Sequence, residues 1–85
     1  MKYQYKTKGT CSSKIDFELE DGIVHNVVFT NGCNGNLKAI GKLVEGMTAE
    51  KVIELLKGNT CRSNPTSCAD QLARALEAAL EQTEN

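Results

Sequence analysis

The sequence predicts an α+β fold: a three-stranded antiparallel sheet comes first, and three helices follow, packed on one of its faces. Three observations carry this. Apolar and polar residues alternate through much of residues 2–30, the period of a half-buried strand. Between two of these runs stands Asp21-Gly22, the dipeptide favoured in a two-residue hairpin turn. From Leu37 onward the apolar spacing lengthens to the three-and-four pattern of a helix face.

Taken in order, Tyr3, Tyr5 and Thr7 alternate with Lys2, Gln4, Lys6 and Lys8, and the lysines suit an exposed sheet edge. Ile15, Phe17 and Leu19 alternate with Lys14, Asp16, Glu18 and Glu20 in the second strand. Residues 23–30, with Ile23, Val24, Val27, Val28 and Phe29, return as the third. The first helix presents Leu37, Ile40, Gly41 and Val44 on one face, and Gly41 there allows close approach to the sheet. Gly46 ends it and Thr48 caps the next, whose apolar side is Val52, Ile53, Leu55 and Leu56 before Gly58. A polar loop covers 58–65. The last helix begins near Pro65–Ser67, where Ser67 and Asp70 resemble a capping box. Its stripe is Ala69, Leu72, Ala75, Leu76, Ala79 and Leu80, with Asp70 and Arg74 as an i, i+4 pair. The polar tail 81–85 is expected to fray.

Length and composition bound the function. Eighty-five residues are expected to form a single domain over 1–85, of radius of gyration roughly 12 Å. A core this small gains noticeably from a cross-link or a bound metal. Ten basic against 11 acidic residues give a net charge of −1, so no electrostatic grip on nucleic acid or an anionic membrane is expected. The first residues lack the apolar core of a secretory signal, and no run approaches a membrane span. The expected compartment is therefore the cytoplasm, where thiols stay reduced.

The four cysteines, Cys11, Cys33, Cys61 and Cys68, then ask for a reading other than disulfides. All are expected at turns or helix starts, where a cysteine serving only as a small hydrophobe is seldom placed. In a three-stranded meander the loop after strand one and the end of strand three share an edge, so Cys11 and Cys33 can be neighbours. Cys33 precedes a helix and Cys68 opens one, and helix N-termini favour thiolate. The run Asn31-Gly32-Cys33-Asn34-Gly35-Asn36 leaves room for close backbone approach. Four thiolates about one point suit zinc or an iron–sulfur cluster. No C-x₂-C pair is present, and unrelated structural thiols or disulfides are the competing readings. His25 reads as structural, and Glu18, Glu20 and Asp21 as a solvated strand face and turn. No Ser/His/Asp constellation can be assembled from the lone histidine.

Thr66-Ser67-Cys68-Ala69-Asp70, together with Phe29-Thr30-Asn31-Gly32-Cys33-Asn34-Gly35-Asn36, resembles the TSCPD-domain family. Ala69 stands where the name-giving motif has proline. The family's domain also occurs at the C-terminus of some ribonucleotide reductases. The resemblance therefore implies a metal- or cluster-binding accessory domain with a larger ribonucleotide reductase chain as partner. Alternatively it implies a component of ribonucleoside-diphosphate reductase that supplies a redox-active thiol pair, Cys61 and Cys68 being nearest in sequence. Nucleotide reduction by these residues alone is not expected, because the catalytic barrel of those enzymes is far larger.

A more distant pattern, Cys11, Phe29, Gly32-Cys33, Leu43-Val44-x-Gly46 and Ser67-Cys68-Ala69, is similar to IscU/NifU-type iron–sulfur scaffold proteins. That likeness implies the same strand-then-helix order, with cluster ligands at Cys11, Cys33 and Cys68. It also places Ser13 and Ser67 where scaffolds carry an aspartate and a histidine, and leaves Cys61 as an added thiol. A stable four-cysteine site is then expected over a scaffold that assembles and transfers clusters, with an iron–sulfur scaffold or a plain interaction module as the further alternative.

Overall fold

A computed structural model describes residues 1–10, 12–32, 34–59 and 66–84. The order is β1 (Lys2–Lys6), β2 (Lys14–Glu20), β3 (Ile23–Thr30), α1 (Asn34–Val44), α2 (Ala49–Leu56) and α3 (Cys68–Glu84). The strands form one antiparallel sheet in the order β1-β2-β3. The α+β class and the β-then-α order expected from the sequence are therefore observed. Among the described residues no helix is long and apolar enough to cross a membrane.

Strand alternation puts Ile15, Phe17 and Leu19 of β2 into the core, while Asp16, Glu18 and Glu20 face outward. Tyr3 of β1 stacks on Phe17, its cross-strand partner, with ring centroids 5.5 Å apart. The Asp21-Gly22 turn has positive φ at both residues (53° and 77°), the conformation that matches strand twist in a two-residue hairpin. Helices cover this face with Val44, Ala49, Val52, Leu72, Ala75, Leu76 and Ala79.

β3 departs from simple alternation. Glu18 pairs with His25 and Asp16 with Val28, so Asn26 and Val27 together oppose the single residue Phe17. Asn26 takes the left-handed conformation (φ 54°), which asparagine tolerates. The bulge lets Val24 and Val27, an odd number of residues apart, both turn inward.

The outer edge of β3 is not free. The linker between α1 and α2 pairs with it: Val24 donates to the Met47 carbonyl and Gly46 to the Val24 carbonyl, each at 2.8 Å. Further along, α1 crosses so closely that a Cβ on Gly41 would lie 3.0 Å from the Val27 carbonyl oxygen. The expected close approach at Gly41 is thus observed, and with it a sheet edge protected from pairing with other chains.

Helix termini follow the expected caps. Thr48 accepts from the Lys51 amide at 3.2 Å, and Ser67 accepts from the Asp70 amide at 3.1 Å. The capping box holds only in this half. Both oxygens of Asp70 are turned to other partners, described below. α3 runs on to Glu84. Polar residues suit a helix whose buried stripe has already anchored it upstream.

Candidate functional site

Of the four cysteines, Cys68 is the one among the described residues; Cys11, Cys33 and Cys61 lie outside them. Cys68 is the first residue of α3, as the sequence predicts, and its side chain is buried. Its Sγ lies 3.1 Å from the hydroxyl of Ser12, itself 3% exposed. A hydroxyl at this distance can donate to a thiolate, the form that binds metals and exchanges disulfides.

Ser12 is held from both sides of the β1–β2 connection. Its carbonyl accepts from the hydroxyls of Thr7 and Thr10. The next residue, Ser13, donates its amide to the Thr30 carbonyl at 2.8 Å, and its hydroxyl accepts from the Asn31 amide group at 3.0 Å. The chain beside Cys11 is thereby joined to the chain that leads into Cys33. Asn31 and Gly32 both have positive φ (65° and 95°), so the backbone turns sharply before α1, as the glycine-rich run suggests. Gly35 lies in the first turn of α1 with nothing near the position of a Cβ. A groove of about 400 Å³ opens beside this turn, walled by Val27, Phe29 and Leu37, with Lys38 at its side.

A second set of bonds surrounds Asp70, which is fully buried. Its Oδ1 accepts from the Gly58 amide at 2.7 Å, and its Oδ2 from the Thr66 hydroxyl and from Arg74 Nε, the latter at 2.8 Å. Burial alone would raise this carboxyl, but the hydrogen bonds from Thr66, Gly58 and Arg74 outweigh it and hold it below the ordinary carboxylate range. The Thr66 hydroxyl also accepts from Gln71 Nε2 at 2.9 Å, while Gln71 Oε1 accepts from the Lys8 amide at 3.2 Å. Ser67 donates to the Asn59 carbonyl. The buried polar residues among those described are Ser12, Thr66, Asp70 and Gln71, and all four sit at this end of the molecule.

Sequence reasoning named Asp70 as a cap, a helical pair and a motif member, named Thr66 only within that motif, and passed over Ser12 and Gln71. The signal within reach was the polar run before an otherwise alanine- and leucine-rich stripe. Among the described residues no group of three or more His, Cys, Asp or Glu side chains is gathered to hold a metal.

The family model for the TSCPD domain matches residues 1–80. The chain belongs to the TSCPD-domain family. The match supports a ribonucleotide reductase-associated domain. No curated protein and no solved structure matches the chain.

The geometry explains the TSCPD motif residue by residue. Thr66 and Asp70 bond to one another, Ser67 caps α3, and Cys68 faces Ser12. Ala69 in place of proline is easily accommodated. It lies in the first helical turn, where amide groups lack intrahelical acceptors and proline is at home. Ser13 and Ser67 are both engaged structurally, Ser13 with Thr30 and Asn31, and Ser67 as the cap.

His25 belongs to a separate latch, and a structural role suits it. Its Nδ1 donates to Glu45 Oε2 at 2.6 Å, and the Asn26 amide donates to Glu45 Oε1 at 2.8 Å. The Asn26 amide bond, followed by the His25 bond, pulls the Glu45 carboxyl below its ordinary value. A depressed carboxyl contributes stability above its unfolded-state value and loses it as pH falls through the folded one. The melting-temperature difference between wild type and Glu45→Gln is therefore expected to be largest near neutrality and to shrink below about pH 4. Thermal melts of both proteins across pH 3–7 check this, and a difference independent of pH would contradict it.

Proposed function

We propose that this TSCPD domain is an accessory domain that holds zinc or an iron–sulfur cluster through Cys11, Cys33, Cys61 and Cys68, in the service of a larger ribonucleotide reductase chain. The observation that carries the reading is the convergence of the chain that flanks the four cysteines. Ser12 meets Cys68. Ser13 meets Thr30 and Asn31, just before Cys33. Gly58 and Thr66, either side of the segment with Cys61, meet at Asp70. Four soft thiolate donors, if brought together there, would suit a tetrahedral sulfur site.

Serines at positions 13 and 67, in place of the aspartate and histidine that iron–sulfur scaffolds carry, favour a group that is retained over one assembled and passed on. A bound metal would supply the cross-link that a core of this size lacks. The ligand thiols must be deprotonated to bind it, and the Ser12 hydroxyl together with the first turn of α3 would favour that state at Cys68.

Anaerobic purification followed by visible spectroscopy and measurement of zinc and iron tests the reading. Zinc at one equivalent with no visible absorption would identify zinc, whereas iron with sulfide-to-iron bands would identify a cluster. Serine at position 11, 33 or 68 is expected to abolish stoichiometric loading. A folded, metal-free wild-type protein with four freely titrating thiols would overturn it.

A further inference from the structure

We propose that the free edge of β1 is a docking strand for an extended segment of a partner protein. That segment alternates acidic with apolar residues and adds antiparallel to β1 as a fourth strand of the sheet. No bound metal is needed for this role, which goes beyond the function proposed above. The two edges of the sheet differ. The linker between α1 and α2 pairs with the outer edge of β3. β1 is the outer strand on the opposite side, and among the described residues nothing pairs with its free edge.

The ladder fixes which backbone groups meet that edge. The Met1 amino group donates to the Leu19 carbonyl at 2.8 Å, and the Leu19 amide to the Met1 carbonyl at 2.9 Å. At the other end the Thr7 amide donates to the Ser13 carbonyl at 3.2 Å. Bonded and non-bonded pairs alternate in an antiparallel ladder, so Tyr3 and Tyr5 also bond to β2. The amides and carbonyls of Lys2, Gln4 and Lys6 therefore point at the open edge. Such an edge is a template for a further strand, and neighbouring side chains decide which strand is accepted.

The two faces beside the edge make different demands. On the outer face the side chains of Lys2, Gln4 and Lys6 are exposed. Lys6 stands directly opposite Lys14, a like-charge pair that costs stability. Lys2 stands opposite Glu18, whose carboxylate accepts from the Asn26 side chain. Among the described residues no ion pair involves Lys2, Lys6 or Lys14. Two copies of β1 centred on Gln4 would set Lys2 against Lys6 and repel, whereas carboxylates at those places would be attracted. On the inner face Tyr3 and Tyr5 are half-buried. A recess of about 510 Å³ opens beside Tyr3, walled also by Met1, Leu19 and Leu80 of α3, with the β2–β3 turn at one end. An added strand sends every second side chain to this apolar side. Acidic outward and apolar inward is the alternation that both faces accept.

Amide NMR spectra of the isotope-labelled chain test this with two blocked peptides of equal length, one alternating glutamate with valine, the other lysine with valine. The glutamate peptide is expected to shift the Lys2, Gln4 and Lys6 amides and slow their exchange with solvent. The lysine peptide should leave them unchanged. In antiparallel pairing the glutamates lie opposite these three residues, so N-methylation at the glutamates should abolish binding and N-methylation at the valines should spare it. Lys6→Glu places a carboxylate opposite Lys14 and so keeps the fold. It should weaken the glutamate peptide several-fold and strengthen the lysine peptide, a reversal that a structural role for Lys6 would not produce. The proposal is overturned by unshifted β1 amides at millimolar glutamate peptide, by equal binding of the two peptides, or by binding that survives methylation at the glutamates. A concentration-dependent dimer that protects the same amides would overturn it too, by making a second copy the occupant.

Discussion

Leu76→Ala is expected to lower the free energy of unfolding by about 3–4 kcal/mol. Leu76 is fully buried on α3, in the same cluster as Ile15, Val24, Val52 and Leu72. The loss combines the transfer energy of the removed carbons with the cavity left among side chains that relax only in part. A domain of this length has a total stability of roughly 5–10 kcal/mol, so a large share would go. Urea titration should show a lower midpoint with little change in slope. Leu55→Ala is the control: Leu55 is 57% exposed, and its loss should cost under about 0.5 kcal/mol. Equal effects at the two sites would mean that α3 does not supply the core.

Asp70→Ala should cost about 3 kcal/mol for a different reason. The change removes no large apolar surface, but it strands the buried Thr66 hydroxyl and takes the acceptor from the part-buried Gly58 amide. Hydrogen bonds to a charged group are worth roughly 1.5–3 kcal/mol each, and a buried donor left unmade costs its desolvation besides. The surface pair Lys57–Glu77 gives the contrast. Its nitrogen and oxygen also lie 2.8 Å apart, yet both side chains are substantially exposed, so Glu77→Ala should cost below about 1 kcal/mol. The same distance has a different energetic value because the Asp70 carboxylate is fully buried while that of Glu77 is not. Chemical denaturation of the two variants side by side decides it, and comparable losses would refute the burial argument.

The elements themselves were largely legible. β2 follows from period-two alternation, and β3 from its β-branched run after the Asp21-Gly22 turn, all being local properties of the chain. The caps at Thr48 and Ser67 follow from side chains that satisfy orphan amides within three residues. What escaped was decided at long range. The partner of Asp70 at Gly58 is 12 residues upstream, and that of Gln71 at Lys8 is 63 residues away. No periodicity in the sequence reports such pairs. The capping-box reading of Asp70 was half right for this reason: local geometry permits the reciprocal bond, and the buried loop ends compete better for the carboxylate. Cys68 at the first position of α3 was readable from the cap that precedes it, whereas Ser12 beside its sulfur was not. The TSCPD motif located the site, and the tertiary bonds among Thr66, Asp70 and Gln71 show why its polar members are there.

The bulge in β3 has a counting consequence. Were Asn26 omitted, the strand would read Val24 inward, His25 outward, Val27 inward, Val28 outward and Phe29 inward, with the same residues in the core. Asn26 is therefore a supernumerary residue, dispensable to the packing pattern and held in a left-handed backbone conformation. Its return is lateral: the amide reaches Glu45 at the end of α1, and the side chain reaches Glu18 on the neighbouring strand. A spare residue on the edge strand thus serves as a clasp between layers. It also adds one residue of chain to the path that ends at the Asn31-Gly32 turn ahead of α1.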